Sequence, residues 1–291
     1  MTGFEERART MLPWPAADAN KFSRGKLVLV AGSKRYPGAA CLSARASQRM
    51  GAGYTEVITD SDVVNVVRSA SSSLVVRARE GWAANEIPAS TRAKPCAVLI
   101  GSGFDRADAW VAPLLADVLR EAHCPVAVDG GALDALTDPQ MAWRLRWRAD
   151  EGLATVITPH GGEAARLARA LDLAADLPAA EMAVALAREL HAVVVLKGPQ
   201  TFVSDGGRTE MLDAGTPALA KAGTGDVLAG MVGALLAQGF DAFDASCLAV
   251  YLHGRAGACA AERFTEISVC AEDVVEFISA AIKLLICDEG R

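Results

Sequence analysis

The hydrophobic positions of the chain fall into short continuous runs that polar and glycine-rich stretches separate. Residues 26–31, 97–100, 125–129 and 192–196 are the clearest of these runs, and most of their members are Val, Leu, Ile or Ala. A continuous apolar run of this length is typical of a strand that is buried on both faces. Because helical stretches lie between the runs, the pattern predicts an α/β fold in which helices cover both faces of a mainly parallel sheet.

Weaker patterns complete this prediction. Apolar residues at 202–204 and 209–212 flank an Asp-Gly turn signal, which predicts a hairpin that gives the sheet an antiparallel edge. Residues 1–24 are predicted to lead into the first strand, and the whole chain, 1–291, is predicted to be one domain because it has no internal repeat, linker or change in composition. The remaining predicted elements are strands at 54–59, 74–77 and 155–158 and helices at 39–50, from 226 onward, at 243–262 and at 271–285.

A glycine turn opens the predicted helix that starts near residue 226. Gly223 and Gly225 flank Thr224, and Asp226 follows at the entrance of an apolar, small-residue helix. Glycine lets the backbone turn sharply and brings bare N–H groups close to a ligand. The first N–H groups of a helix have no internal partner and lie at the positive end of its dipole, so the turn predicts an anion site. Asp226 is interpreted either as a helix cap or as a catalytic base, and the turn alone does not separate the two.

Three more polar residues follow predicted strands. His160 and Glu163 lie three residues apart at a strand-to-helix turn, and Glu163 is either a first-turn acid that suits the helix dipole or an anchor that holds Mg²⁺ through water. Lys197 precedes Gly198, and its ammonium either contacts a phosphate or lies in solvent. His160 is not expected to bind a metal directly, because no second His or Cys lies at a suitable spacing.

The composition of the chain indicates which kinds of partner the protein is not expected to bind and in which cellular compartment it is expected to act. The formal net charge is −6 and no run of Lys or Arg stands out, which argues against nucleic acid or an anionic membrane as the partner. The seven cysteines are scattered without a C-x-x-C pair, so we expect reduced, mostly buried thiols. No stretch is apolar enough to span a bilayer and the N-terminus lacks an apolar signal region, so we expect a cytoplasmic protein.

The candidate residues form a set with one kind of chemistry. An anion-binding turn, a base beside it, an acid for magnesium water and a lysine are the parts that phosphoryl transfer needs. The sequence contains no G-x-x-x-x-G-K-[ST], which excludes a P-loop enzyme, and no G-x-G-x-x-G follows the first strand, which weakens a dinucleotide-binding dehydrogenase.

Four motifs in order resemble the ribokinase-like superfamily, and within it the ADP/ATP-dependent NAD(P)H-hydrate dehydratase family. The resemblance covers roughly residues 20–285. The motifs are Ala31-Gly32-Ser33 with Pro37-Gly38-Ala39, Thr158-Pro159-His160 with Gly162-Glu163, Leu196-Lys197-Gly198 with Thr201, and Gly223-Thr224-Gly225-Asp226 with the helix that runs to Gly239.

This resemblance implies a fold and a reaction. The fold is a three-layer α/β/α arrangement around a mainly parallel sheet of about eight strands, without a lid domain. The reaction restores NADH or NADPH from the S-form hydrate with Mg²⁺ and either ADP or ATP. Asp226 takes the proton of the ring hydroxyl, while the backbone at Gly223 and Gly225 holds the transferred phosphoryl group. The resemblance also implies a homo-oligomer, a tetramer in many members.

The resemblance assigns binding roles to individual residues. Those that bind the hydrate are Ala39, Gly103, His160 and Asp226. Those that bind the adenine nucleotide are Lys197, Gly198, Pro199, Gln200, Thr201 and Gly225. Glu163 matches the acid that holds Mg²⁺ through water. Stand-alone bacterial-type members favour ADP, and these residues leave the choice between ADP and ATP open.

The chain departs from the family pattern at several of these motifs. Gly161 stands where the family has Pro, and Ser102 stands in place of the Pro of a Gly-Pro-Gly. An Asp-Ala-Asp motif is reduced to Asp129 alone, because its second acid is replaced by Gly131. Lys221 places a cation beside the predicted phosphate site, where it either assists charge neutralisation or alters the nucleotide preference.

Two alternative functions remain open at this stage. The same base and anion site suit a ribokinase-like kinase of a vitamin-precursor alcohol, of the hydroxyethylthiazole or hydroxymethylpyrimidine type, which would leave phosphate on its product. The missing acid at Gly131 suggests a nucleotide sensor without turnover, although Asp226, Glu163 and Lys197 are all retained.

Overall fold

The apolar runs form the centre of a single sheet in the computed structural model, which describes residues 3–213 and 215–287. Neighbouring strands follow the order β3-β2-β1-β4-β5-β6-β7-β8-β9. The first seven strands are parallel, and the last two form an antiparallel hairpin at the edge. The strands are β1 (Lys26–Val30), β2 (Tyr54–Thr59), β3 (Val75–Ala78), β4 (Cys96–Ile100), β5 (Val126–Val128), β6 (Thr155–Ile157), β7 (Val193–Leu196), β8 (Thr201–Ser204) and β9 (Thr209–Leu212).

Helices cover both faces of the sheet. The helices are α1 (Gly3–Thr10), α2 (Pro37–Arg49), α3 (Val64–Ala70), α4 (Val111–Glu121), α5 (Pro139–Asp150), α6 (Gly161–Ala170), α7 (Ala179–Glu189), α8 (Thr224–Ala237), α9 (Ala242–Phe264) and α10 (Ala271–Cys287). Leu27 and Leu29 of β1 pack with α2, α8, α9 and α10, whereas Val28 and Val30 point to the opposite face with α4 to α7. This alternation confirms the predicted three-layer α/β/α arrangement.

Some element boundaries differ from the sequence prediction. The sheet has the nine strands that the apolar runs predict, whereas the family resemblance implied about eight. Helix α2 begins at Pro37, where proline suits a first turn that needs no N–H donor, and α8 begins at Thr224 instead of Asp226. The N-terminal segment contains α1, whose Phe4 packs on Tyr251 of α9 with ring centroids 5.5 Å apart.

Two observations bear on the predictions from composition. The seven cysteines are all free, and four of them, Cys96, Cys124, Cys247 and Cys259, are buried. Among residues 3–213 and 215–287, every helix is too short or too polar to traverse a bilayer.

The order of the strands reverses between β1 and β4. From β1 the chain moves to β2 and β3 on one side, and it then returns to β4 on the other side. Loops that leave the carboxyl ends of strands at such a reversal diverge, and ligands of α/β sheets bind there. Two hydrogen bonds join the two loops at this point: the Gly32 N–H donates to the Ser102 carbonyl at 2.8 Å and the Ser33 hydroxyl to the Gly103 carbonyl at 2.7 Å.

Close contact between α2 and α8 fixes the position of the α8 N-terminus. A Cβ atom at Gly230 of α8 would lie 2.3 Å from the carbonyl oxygen of Ser43 in α2. The hydroxyl of Ser43 donates a hydrogen bond of 2.9 Å to the carbonyl of Asp226. The absence of a side chain at Gly230 therefore lets the helices approach until this hydrogen bond forms.

We predict that Gly230→Ala destabilises the protein by about 1–3 kcal/mol, because the added methyl group meets backbone atoms that only a shift of a helix can move. Urea unfolding with an unchanged m value measures the loss. Gly38→Ala in α2 is the control, since a Cβ there meets nothing within 4 Å. Equal stability of Gly230→Ala and wild type would contradict the packing argument.

Candidate active site

The glycine turn at residues 221–225 ends in the first turn of α8. Gly223 is the N-cap of this helix with φ +93°, and a Cβ there would lie 2.7 Å from Cδ1 of Leu42, so both its conformation and its surroundings require glycine. The hydroxyl of Thr224 donates to the carbonyls of Leu219 at 2.8 Å and Lys221 at 2.9 Å. These bonds hold the turn in the shape that leaves the first N–H groups of α8 available for an anion.

Asp226 lies in the first turn of α8 and is half-buried. The interpretation of Asp226 as the helix cap is wrong, because Gly223 occupies the N-cap position and no side chain makes a cap hydrogen bond. Burial and the negative charge of Asp129 raise the pKa of Asp226 to about 7, against the opposing charge of Lys197. A carboxyl group with this pKa can accept a proton near neutral pH, as a general base must.

Asp129 is the buried carboxylate at the centre of the site. It is 2% exposed and follows β5. It accepts hydrogen bonds from the Ser102 hydroxyl at 2.9 Å, the Thr158 hydroxyl at 2.5 Å and the Lys197 ammonium at 3.1 Å. In the sequence, Asp129 ends a predicted strand and is the remaining acid of the family's Asp-Ala-Asp motif, but neither feature assigns it a role.

Lys197 connects this carboxylate to the rest of the site. Lys197 follows β7, which is the neighbour of β6 and lies two strands away from β5. Burial lowers the pKa of the ammonium, but the carboxylates of Asp129, Glu163 and Asp226 outweigh burial, and the net pKa lies above its ordinary value. The ammonium is therefore charged and interacts electrostatically with three carboxylates. Lys197 also lines the cavity, where the sequence predicts that it contacts a phosphate.

His160 and Glu163 form the N-terminal cap of α6. The Glu163 carboxylate accepts from the His160 N–H at 2.8 Å, and the Nδ1 of His160 accepts from the Gly162 N–H at 3.0 Å. The structure therefore confirms that Glu163 is an acid in the first turn of α6. Within the described ranges no three His, Cys, Asp or Glu side chains are grouped to hold a metal ion.

A cavity of about 950 Å³ lies beside the glycine turn and the end of β7. One part of its wall is apolar and comes from Leu212, Leu219, Leu228 and Val250. This combination of an apolar wall and an anion-binding turn suits a ligand with a flat ring at one end and phosphate at the other. The cavity brings together six of the predicted site residues, which are His160, Lys197, Gly198, Pro199, Thr201 and Gly225.

Six predicted site residues are not among those that line this cavity, and they are Gln200, Glu163, Gly223, Asp226, Ala39 and Gly103. Gly223 and Asp226 flank the lining residues Thr224 and Gly225 at the start of α8. Ala39 and Gly103 lie at the reversal between β1 and β4, where Gly103 has φ +76° and a Cβ on it would lie 2.6 Å from the Cβ of Ala39. Their place at the reversal of strand order is the region where α/β sheets bind ligands.

His253 of α9 also lines the cavity, and the sequence analysis did not identify it. It is 8% exposed, and its Nε2 has no hydrogen-bond partner in the described part of the chain. Burial lowers the pKa of this imidazole to about 4, so the ring is neutral at neutral pH. A single His in an apolar helix carries no pattern that would have revealed this position.

The sheet, the glycine turn at the head of α8 and the acid in its first turn define a ribokinase-like α/β protein. Comparison with known families gives a more specific assignment. The chain belongs to the NAD(P)H-hydrate dehydratase family, whose model matches residues 27–280.

Individual relatives agree with this assignment. The ADP-dependent (S)-NAD(P)H-hydrate dehydratase of Xanthomonas campestris is 32% identical over 90% of this chain and 89% of its own length. The bifunctional NAD(P)H-hydrate repair enzyme of Gloeobacter violaceus is 36% identical over 92% of this chain, which spans 51% of that enzyme. The crystal structure of the Bacillus subtilis ADP/ATP-dependent NAD(P)H-hydrate dehydratase, co-crystallised with ATP and Mg²⁺, superposes with a TM-score of 0.81 at 30% identity, covering 97% of each chain.

We predict that Asp129→Asn lowers the pKa of Asp226 from about 7 toward the ordinary range of a carboxyl group. The substitution removes a negative charge that raises this pKa and releases Lys197 to stabilise the ionised form of Asp226. The carboxyl ¹³C signal of Asp226, assigned with Asp226→Asn, reports its midpoint in both proteins. Ser61→Ala, a surface change, is the control, and an unchanged midpoint in Asp129→Asn would refute the electrostatic coupling.

Proposed function

We propose that the protein dehydrates the S-form hydrate of NADH or NADPH with ADP or ATP as phosphoryl donor, and so restores the reduced nicotinamide cofactor. The observation that carries this proposal is the position of Asp226, a carboxyl with a pKa of about 7 in the first turn of the helix whose N-terminus faces the cavity. A base and an anion site that share one helix turn suit the transfer of a phosphoryl group to a hydroxyl. Membership of the family supports the choice of substrate.

In the first step the ring hydroxyl of the hydrate becomes a phosphate ester. Asp226 accepts the hydroxyl proton while the oxygen attacks the terminal phosphorus of the nucleotide, and the bond from that phosphorus to the bridging oxygen breaks. The backbone N–H groups at Gly223 and Gly225 stabilise the charge on the transferred phosphoryl group. Stabilisation of this kind is the larger part of the acceleration in phosphoryl transfer.

In the second step the ester loses phosphate. The lone pair of the ring nitrogen assists cleavage of the carbon–oxygen bond, and a proton then leaves the adjacent ring carbon to restore the dihydronicotinamide double bond. Phosphorylation thus converts hydroxide, a poor leaving group, into phosphate. Ala39, Gly103 and His160 are proposed to bind the hydrate during both steps.

The nucleotide is proposed to occupy the cavity. Its adenine ring suits the apolar wall, and its phosphates suit the end that Lys197, Thr201 and Gly225 line, with Gly198, Pro199 and Gln200 as the remaining predicted contacts. Mg²⁺ held with the phosphates would neutralise their charge, and Glu163 is the residue proposed to hold it through water. The B. subtilis relative was co-crystallised with ATP and Mg²⁺, which supports the choice of an adenine nucleotide and Mg²⁺ as the ligands.

The proposal extends to the state of the protein in the cell. We infer that it acts in the cytoplasm as a homo-oligomer, a tetramer by resemblance, and that the chain forms one domain. Neither nucleic acid nor membrane enters this proposal as a partner.

The test of the proposed function is the recovery of nicotinamide absorbance from enzymatically prepared NADH hydrate with Mg²⁺ and either ADP or ATP. We expect absorbance to return together with one equivalent of free phosphate. Phosphate retained on an organic product would instead indicate the vitamin-precursor kinase, which shares the base and the anion site. Nucleotide binding without any turnover would indicate a sensor.

We predict that Asp226→Asn lowers turnover of the hydrate at least about 100-fold, because an amide cannot accept the hydroxyl proton. Nucleotide affinity should stay within about threefold of wild type, since the cavity wall is unchanged. Asp241→Asn is the matched control, because Asp241 caps α9 by accepting from the N–H groups of Phe243 and Asp244. Near wild-type turnover in Asp226→Asn would show that another group is the base.

A further inference from the structure

We propose that Lys221 binds the phosphate chain of the nucleotide and that its charge matters more for ATP than for ADP. This inference rests on the nucleotide site of the proposed function and assigns a specificity role within it.

Lys221 lies at the rim of the cavity immediately before the glycine turn. It lines the same cavity as Lys197, Thr224 and Gly225. Its carbonyl accepts a hydrogen bond of 2.9 Å from the Thr224 hydroxyl, which ties its main chain to the first turn of α8. The side chain therefore extends from an anchor that is fixed beside the proposed phosphate site.

The charges of the two lysines that line the described part of the cavity wall are not equally available. Lys197 donates to Asp129 and interacts with two more carboxylates, Glu163 and Asp226. A nucleotide phosphate approaching Lys197 must therefore compete with acids that already balance its charge. Lys221 forms no ion pair with a carboxylate of the described residues, whereas the Lys197 nitrogen lies 3.1 Å from Asp129, so a phosphate at Lys221 does not face the same competition.

The Lys221 ammonium is exposed and donates a hydrogen bond of 2.7 Å to the carbonyl of Ile267. Ile267 itself is 88% exposed, so this contact lies in solvent. An ammonium has three donors, and a phosphate oxygen is a stronger acceptor for them than a neutral carbonyl. When a nucleotide binds, the ammonium can therefore donate a further hydrogen bond to a phosphate oxygen, or replace the bond to the Ile267 carbonyl with one to the phosphate.

The rim does not depend on this bond alone. The hydroxyl of Thr216 donates to the Glu266 carboxylate at 3.0 Å, which links the same two segments a few residues away. Removing the Lys221 charge therefore leaves a second connection between the rim segments. Because this second hydrogen bond remains, a variant of Lys221 can separate the effect of its charge from an effect on the structure of the rim.

The charge of Lys221 should matter more for the triphosphate. ATP carries one more phosphate and a larger negative charge than ADP, and both must place the terminal phosphorus at the glycine turn. The additional phosphate of ATP then occupies space between the turn and the sugar, where a cation at the rim reduces the repulsion among phosphates.

The experiment is isothermal titration of the protein with Mg·ADP, with Mg²⁺ and a non-hydrolysable ATP analogue, and with adenosine. We expect Lys221→Met to raise the Kd of the ATP analogue about tenfold and that of ADP about threefold, with adenosine unchanged. Lys221→Arg should remain within about threefold of wild type for each ligand, because it retains the charge. Glu266→Gln, which weakens the neighbouring rim contact without removing a cation, should bind all three ligands as wild type does.

Several outcomes would overturn the proposal. An unchanged Kd for both nucleotides in Lys221→Met would exclude contact with phosphate. An equal loss for adenosine, or an equal loss in Glu266→Gln, would show that Lys221 acts only on the structure of the rim. Because these titrations need no hydrate, a protein that shows the expected pattern but fails to restore NADH would refute the proposed reaction and leave the role of Lys221 intact.

Discussion

One buried carboxylate joins the ends of four strands and sets the charge of the site. Asp129 follows β5, and its three donors follow β4, β6 and β7, which are neighbours in the sheet. A buried carboxylate is stable only when its oxygens are hydrogen-bonded and its charge is balanced. Asp129 therefore fixes the relative positions of the Ser102, Thr158 and Lys197 side chains, which follow neighbouring strands of the sheet.

The same carboxylate controls the group proposed as the base. Its negative charge and the burial of Asp226 raise the pKa of Asp226, and Lys197 limits the rise. The lysine is in turn kept charged by the acids around it. Two strand-end residues, Asp129 and Lys197, thus form a coupled set with Asp226 of α8, in which the protonation of one carboxyl depends on the position of the other charges. The close contact of α2 with α8 at Gly230 completes the set, because it determines where the first turn of α8 lies.

The fold was predictable to the extent that each element has a local signal. Strands buried on both faces show as continuous apolar runs, so the mainly parallel sheet and the hairpin at its edge were both predicted. Boundaries were less accurate where a single residue decides them, as at Gly223, whose positive φ places the start of α8 earlier than the sequence indicated. The resemblance of four motifs located His160, Lys197 and Gly225, which the structure brings to one cavity.

The sequence by itself determined the class of fold, the glycine turn and six of the residues that line the cavity, because these depend on periodicity and on residues close together in the chain. Only the tertiary structure decided which charges meet. The pKa of Asp226 near 7, the sharing of Lys197 among acids and the buried His253 all depend on side chains from separate strands and helices. Electrostatic interactions depend on distance and burial in space, and neither quantity is encoded in the local sequence pattern.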